Sequence, residues 1–151
     1  MRSFWLLIHV LGFTLWLGAG IATMVAGVAA KRFAPDARLA AYRLTSAVQR
    51  ILVGPGAVAV LVSGVALSMS FMRQGVVPGW LVIMMLAGLV GALVSLGVGM
   101  PTAARLGRLE LDVRGELPES FAGLRRRLVV TASIGGGLGL VALVAGTVLR
   151  S

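Results

Sequence analysis

Cysteine is absent from this chain, which excludes disulfides, thiolate metal sites and cysteine nucleophiles. Acidic residues are scarce. Five Asp and Glu stand against fourteen Lys and Arg, and the five acidic residues all fall in two polar stretches, 31–50 and 105–127. Histidine occurs once, at His9. No carboxylate shares its apolar run, so a Ser–His–Asp arrangement is excluded. Charge of either sign is rare, at 13% of residues, about half the roughly 25% usual in soluble domains. The Gly-rich stretches "GPG" and "GGGLG" lack both the Lys-Ser/Thr ending and the strand-before-helix setting of a phosphate loop, so nucleotide hydrolysis is excluded as well.

What is present is apolar sequence. Hydrophobic residues make up 58% of the 151, and the mean hydropathy is +0.99. Four runs carry no charge: Phe4–Ala30, Ile51–Met72, Trp80–Ala104 and Leu128–Leu149. Each meets the roughly 20 residues that cross a ~30 Å hydrocarbon core as a helix. The runs do not alternate with period two, which argues against a closed barrel. The expectation is an all-α polytopic membrane protein, a single four-helix transmembrane domain over 1–151 with helices near 4–30, 51–72, 80–104 and 128–149. The first run is too long for the apolar core of a signal peptide, despite "MVAGVAAKR" at its end.

The net charge of +9 follows the helix boundaries. Lys31, Arg32, Arg38, Arg43 and Arg50 lie in the first loop, and Arg105, Arg108, Arg114, Arg125, Arg126 and Arg127 in the third. The other side has Arg2, Arg73 and Arg150. The positive-inside rule places loops one and three in the cytoplasm and both termini on the periplasmic or outer side. The basic excess is assigned to this topology and to anionic lipid headgroups, with no nucleic-acid partner. Pro35 and Pro118 sit where helices start, so the second and fourth helices are expected to begin in the cytoplasm and run into the membrane. Glu110, Asp112, Glu116 and Glu119 share one loop and read as a solvated turn.

Small residues fall at four-residue spacing, which keeps them on one helix face. Ala87, Gly91, Ser95 and Gly99 form such a line in the third run, and Thr131, Gly135 and Gly139 another in the fourth. Small faces let helices approach closely in lipid. They point either to a tight bundle or to a homo- or hetero-oligomer face, with the second preferred.

The first run divides into two stripes. His9, Gly12, Phe13, Trp16, Gly20, Thr23 and Gly27 share one direction, and Leu7, Leu11, Leu15, Ala22 and Val25 oppose them. The first stripe is expected to face the bundle or a pocket, the second lipid. His9 sits roughly 8 Å below Phe4 along the helix. An ionisable group at that depth is a functional candidate; its alternative is a neutral imidazole that hydrogen-bonds across the bundle. Met69, Met72, Met84 and Met85 fall at a similar depth on the second and third runs. Imidazole and thioether together suit copper or haem iron, and methionine is equally a flexible apolar filler.

"HVLGFTLWLGAGI" resembles the first-helix motif of CopD-type bacterial membrane proteins and of the related HemJ family. "RILVGPGAVAVLVSGVAL" and "GWLVIMM" resemble their second helix and the start of their third. The resemblance covers about residues 5–100. It implies a bacterial inner-membrane location and a haem b or copper site near the outer face, with His9 as ligand. Met84 stands where the HemJ pattern has lysine, which points away from protoporphyrinogen oxidation and toward a His9/Met84 pair. The expected cofactor residues are His9, Met84 and Trp16, with Met69 and Met85 as further metal ligands. Three readings remain open: a haem or copper protein, a non-catalytic accessory or scaffold subunit packing through its glycine faces, and a copper-handling permease.

Overall fold

A computed structural model describes residues 1–73, 75 and 77–149, so Arg150 lies outside the described residues. The architecture is all-α. Four helices are long and apolar enough to cross a membrane: α1 Arg2–Arg32, α2 Pro35–Arg73, α3 Gly79–Leu106 and α4 Ser120–Thr147. They run alternately up and down. The N-terminus, the α2–α3 turn and the end of α4 share one end, and the Arg-rich loops share the other. α2 and α4 both start well ahead of their uncharged runs, at Pro35 and Ser120.

Lipid gives apolar surfaces little reason to leave it, so close backbone packing and interhelical hydrogen bonds must hold such a bundle. Two tight pairs result. α1 crosses α2 at Gly12 and Gly56. A Cβ at Gly12 would lie 2.8 Å from the Ala59 Cβ, and one at Gly56 would lie 2.8 Å from both the Gly12 carbonyl oxygen and the Trp16 nitrogen. "GPG" is therefore a helix-crossing motif. α3 packs along α4 through the small-residue lines. A Cβ at Gly135 would lie 2.7 Å from the Ser95 Oγ, one at Gly99 3.3 Å from the Thr131 Cγ2, and one at Gly91 3.2 Å from the Leu138 Cβ. Gly91, Gly99, Gly135 and Gly139 are buried. These lines form an internal seam, which corrects the expectation that they make an outward oligomer face. The stripes of α1 hold with one change: Leu7, Leu11 and Val25 are exposed, but Leu15 is half-buried, its Cβ against Gly56.

Each of the first three helices contains one widened π turn: Thr14–Gly18, Gln49–Val53 and Ser95–Gly99. Two have a visible cause. The Gly54 N–H bonds to the Gln49 carbonyl and the Met100 N–H to the Ser95 carbonyl, five residues back in each case. Pro55 and Pro101 come next. A proline ring clashes with the carbonyl four residues before it and offers no N–H, so the helix widens just ahead of it. In α1 no proline is present; Thr14 instead donates to the Val10 carbonyl at 2.9 Å, a side-chain bond that bends helices.

The basic end has a small core of its own, in which Leu39, Tyr42, Ala103, Leu106, Phe121 and Leu128 are buried together. Tyr42 meets Phe121 edge-on at 5.3 Å, and the Arg125 Nε donates to the Tyr42 hydroxyl at 3.0 Å. Arg38 closes the α1–α2 turn by donating to the carbonyls of Ala30, Lys31 and Phe33, at and just past the end of α1, where carbonyls run short of helical partners. In the third loop the Asp112 carboxylate accepts from the N–H groups of Arg114 and Glu116, and Gly115 supplies the positive φ of 76° that the turn requires.

Candidate functional site

His9 lies half-buried on α1 against α2. Its Nδ1 is 3.0 Å from the Ser63 Oγ, and its Cε1 is 3.3 Å from where a Cβ on Gly64 would stand. Gly64 thus leaves the space that the ring occupies. Ser63 is fully buried, and its hydroxyl donates to the Ala59 carbonyl. With that proton committed, the Ser63 oxygen accepts from the imidazole, so Nδ1 carries hydrogen and Nε2 keeps the lone pair.

The methionines lie on other faces. Met84 is turned to α4: its sulfur is 2.8 Å from where a Cβ on Gly146 would stand. Met69 and Met72 are half exposed on the outer surface of α2, and Met85 is half-buried. His9 therefore belongs to the α1–α2 pair and Met84 to the α3–α4 pair. Among the described residues no group of three or more His, Cys, Asp or Glu is placed to hold a metal ion. The residues present fit a single nitrogen ligand better than a preassembled pair.

Trp16 sits at the centre of the molecule, 4% exposed. Its Nε1 donates to the Ser95 Oγ at 3.1 Å, and Ser95 donates in turn to the Gly91 carbonyl at 2.8 Å. The ring edge lies 3.0 Å from where a Cβ on Gly91 would stand and 4.0 Å from where one on Gly139 would stand. It is a wedge of α1 driven between α3 and α4, and Phe13 meets it edge-on at 6.2 Å. Gly91, Ser95 and Gly139 are small because this indole fills the space.

Beside Trp16, toward the basic end, the three π turns meet α4 around a cavity. Trp16, Gln49, Val53, Ser95, Gly99 and Thr131 line it, and exposed Ile21 and Met24 stand at its mouth with Ala132 and Gly136. It encloses about 40 Å³, room for two or three waters and far short of the roughly 300–1,000 Å³ of a ligand pocket. Gln49 is 5% exposed. Thr131 and Ser95 satisfy themselves on the Arg127 and Gly91 carbonyls. The Gln49 amide has no such partner among the described residues, and no fully enclosed side-chain nitrogen or oxygen among them lacks one; the amide therefore opens onto the cavity. Gln49 escaped sequence reasoning because it precedes the uncharged run and stands next to Arg50, where a polar side chain reads as solvated. The signal was the line Tyr42, Thr45, Gln49, Val53, all buried at helical spacing.

Compared with known proteins, the chain matches no family model, no curated protein sequence and no solved structure.

Proposed function

We propose that this chain is a non-catalytic accessory or scaffold subunit of a larger assembly in the bacterial inner membrane, with its basic loops in the cytoplasm. The observation that carries the reading is a line of small residues on the outer face of α1. Gly18, Ala22 and Ala26 are all exposed, and a Cβ on Gly18 would meet nothing within 4 Å. The other small lines are already filled from within the bundle, Ser63 and the indole N–H bond across helices, and the Thr131 hydroxyl is engaged on its own helix. Small residues four apart are the surface on which membrane helices associate. The test is the size of the assembly in mild detergent and on native gels. Gly18→Leu with Ala22→Leu reduces it to the size of the bundle alone while helix content is unchanged. If the unaltered chain already runs as a lone bundle, the scaffold reading is wrong.

A second reading keeps the CopD-like resemblance and rests on His9. Metal-ligating histidines hold their second nitrogen in a hydrogen bond that fixes the tautomer, and Ser63 supplies such a bond here. In this reading Nε2 binds haem b or copper, which would supply redox chemistry near the end opposite the basic loops. The visible spectrum of protein produced with haem and copper supplied, oxidised and dithionite-reduced, decides it together with metal analysis. A Soret band or stoichiometric copper that disappears in His9→Ala supports it; a colourless, metal-free protein removes it.

A further inference from the structure

At the basic end, α2 and α3 diverge around a second and larger groove of about 520 Å³. Arg43, Ser46 and Arg50 line it from α2, and Pro101, Gly107 and Arg108 from the end of α3 and the residues after it. The arginines here, unlike Arg38 and Arg125, do not hold the fold together. Arg38 is tied to three carbonyls and Arg125 to Tyr42. The guanidiniums of Arg43, Arg50 and Arg108 make no such bond among the described residues and are exposed. No acidic residue lines the groove. Asp112, in the loop that follows Arg108, has its carboxylate on its own backbone amides.

The groove is shaped by close approach. A Cβ on Gly107 would lie 2.7 Å from the Ser46 Cβ, so the glycine leaves the helices in contact at the floor with no side chain rising above it. The remaining wall is apolar: Leu96, Met100 and Ala104 continue from the arginines toward the hydrocarbon-facing part of α3. A positive mouth thus sits above an apolar wall.

We propose that this groove is a specific site for an anionic phospholipid. The phosphodiester is held by Arg43, Arg50 and Arg108, and an acyl chain lies along Leu96 and Met100. Guanidinium groups match phosphate oxygens in charge and in planar, two-pronged geometry. Basic pockets between helices on the cytoplasmic side are suited to such headgroups. The paired apolar wall selects a lipid over a soluble phosphate. The general attraction of a basic loop for a charged surface would act equally through Arg32, Arg114 or Arg126, which lie outside the groove.

The experiment uses the full chain, delipidated in detergent, with dioleoyl phosphatidylglycerol, dioleoyl phosphatidylcholine or glycerol phosphate added, and reads bound lipid by native mass spectrometry. The unaltered protein retains phosphatidylglycerol about tenfold better than phosphatidylcholine. Arg43→Gln/Arg50→Gln/Arg108→Gln loses that preference. Arg32→Gln/Arg114→Gln/Arg126→Gln, with the same change in charge, keeps it. Ala104→Phe fills the groove with every arginine in place and also loses the preference, so the outcome does not hang on the stability of the triple variant. The proposal is overturned by equal retention of the two lipids, by equal losses in the two triple variants, by an unaffected Ala104→Phe, or by glycerol phosphate displacing the lipid at matched concentration.

Discussion

At the scale of single residues, the interior is organised around Trp16. Its indole N–H has one partner, Ser95, and its ring fills the space left by Gly91 and Gly139. A double-mutant cycle with Trp16→Phe and Ser95→Ala isolates the hydrogen bond from the lost ring volume. The expected coupling is about 0.6 kcal/mol, the mean for interhelical hydrogen bonds in a bilayer, read from unfolding in mixed detergent. No coupling would mean that the indole acts by packing alone. Gly135 makes a sharper prediction. An added methyl would meet the Ser95 Oγ at 2.7 Å, and that hydroxyl is fixed by its bonds to Trp16 and Gly91. Gly135→Ala should destabilise by about 1–3 kcal/mol, the usual range for an overpacked core. Ser95→Gly added to it should restore much of the loss, and Gly137→Ala, which meets nothing within 4 Å, should cost nothing measurable. A costly Gly137→Ala with a harmless Gly135→Ala would invert the faces of α4. The direction of these residues was legible in the sequence, because small residues at four-residue spacing define a line. Their destination was not. A one-dimensional pattern cannot say whether the matching surface is another helix of the same chain, and the Ser95 line found its match in Gly135 and Thr131 of α4.

At the scale of elements, the π turns decide which faces stay in contact. A straight helix at 3.6 residues per turn rotates a four-residue line by about 40° at each step. Over Ala87, Gly91, Ser95 and Gly99 that drift would carry the last residue away from α4. The widened turn at Ser95–Gly99 holds more residues per turn and so brings Gly99 back against Thr131. Pro101 is the cause of the widening, and it is testable by removal. In an ordinary helix interior, replacing proline by alanine gains about 3 kcal/mol. Here Pro101→Ala also restores the bond to the Gly97 carbonyl and lets the turn tighten, which rotates Thr102, Ala103 and Leu106 away from their buried positions. The expected result is little or no gain in thermal stability in detergent. A gain near the full helix-propensity value would show that the π turn contributes nothing to packing. The prolines were visible in the sequence, but their consequence depends on the five-residue hydrogen bonds that Gly54 and Met100 make, and no spacing rule indicates those. The start of α2 at Pro35 was legible, but the burial of Gln49 was not, because it depends on which neighbouring helices close over that face.

At the scale of the whole molecule, the basic charge and the single histidine lie at opposite ends. The arginine-lined groove and the turn-closing Arg38 sit with the basic loops, and His9 sits in the half of the bundle farther from them. The number of helices, their polarity of traverse and the clustering of charge were legible from composition alone, because a bilayer demands long uncharged runs and little else. The pairing of α1 with α2 and α3 with α4 was not, since the faces that the sequence marks do not say which helix meets them. Orientation across the membrane remains an electrostatic argument with a direct readout. The native chain has no cysteine, so a single introduced thiol reports its own position. Val113 is fully exposed in the long basic loop, and Val77 is exposed in the α2–α3 turn. In intact cells an impermeant maleimide should label Val77→Cys and spare Val113→Cys until the membrane is permeabilised. The reverse pattern would put His9 on the cytoplasmic side and the groove of Arg43, Arg50 and Arg108 on the outer side. It would remove the cytoplasmic leaflet as the source of the anionic lipid while leaving the packing of the bundle untouched.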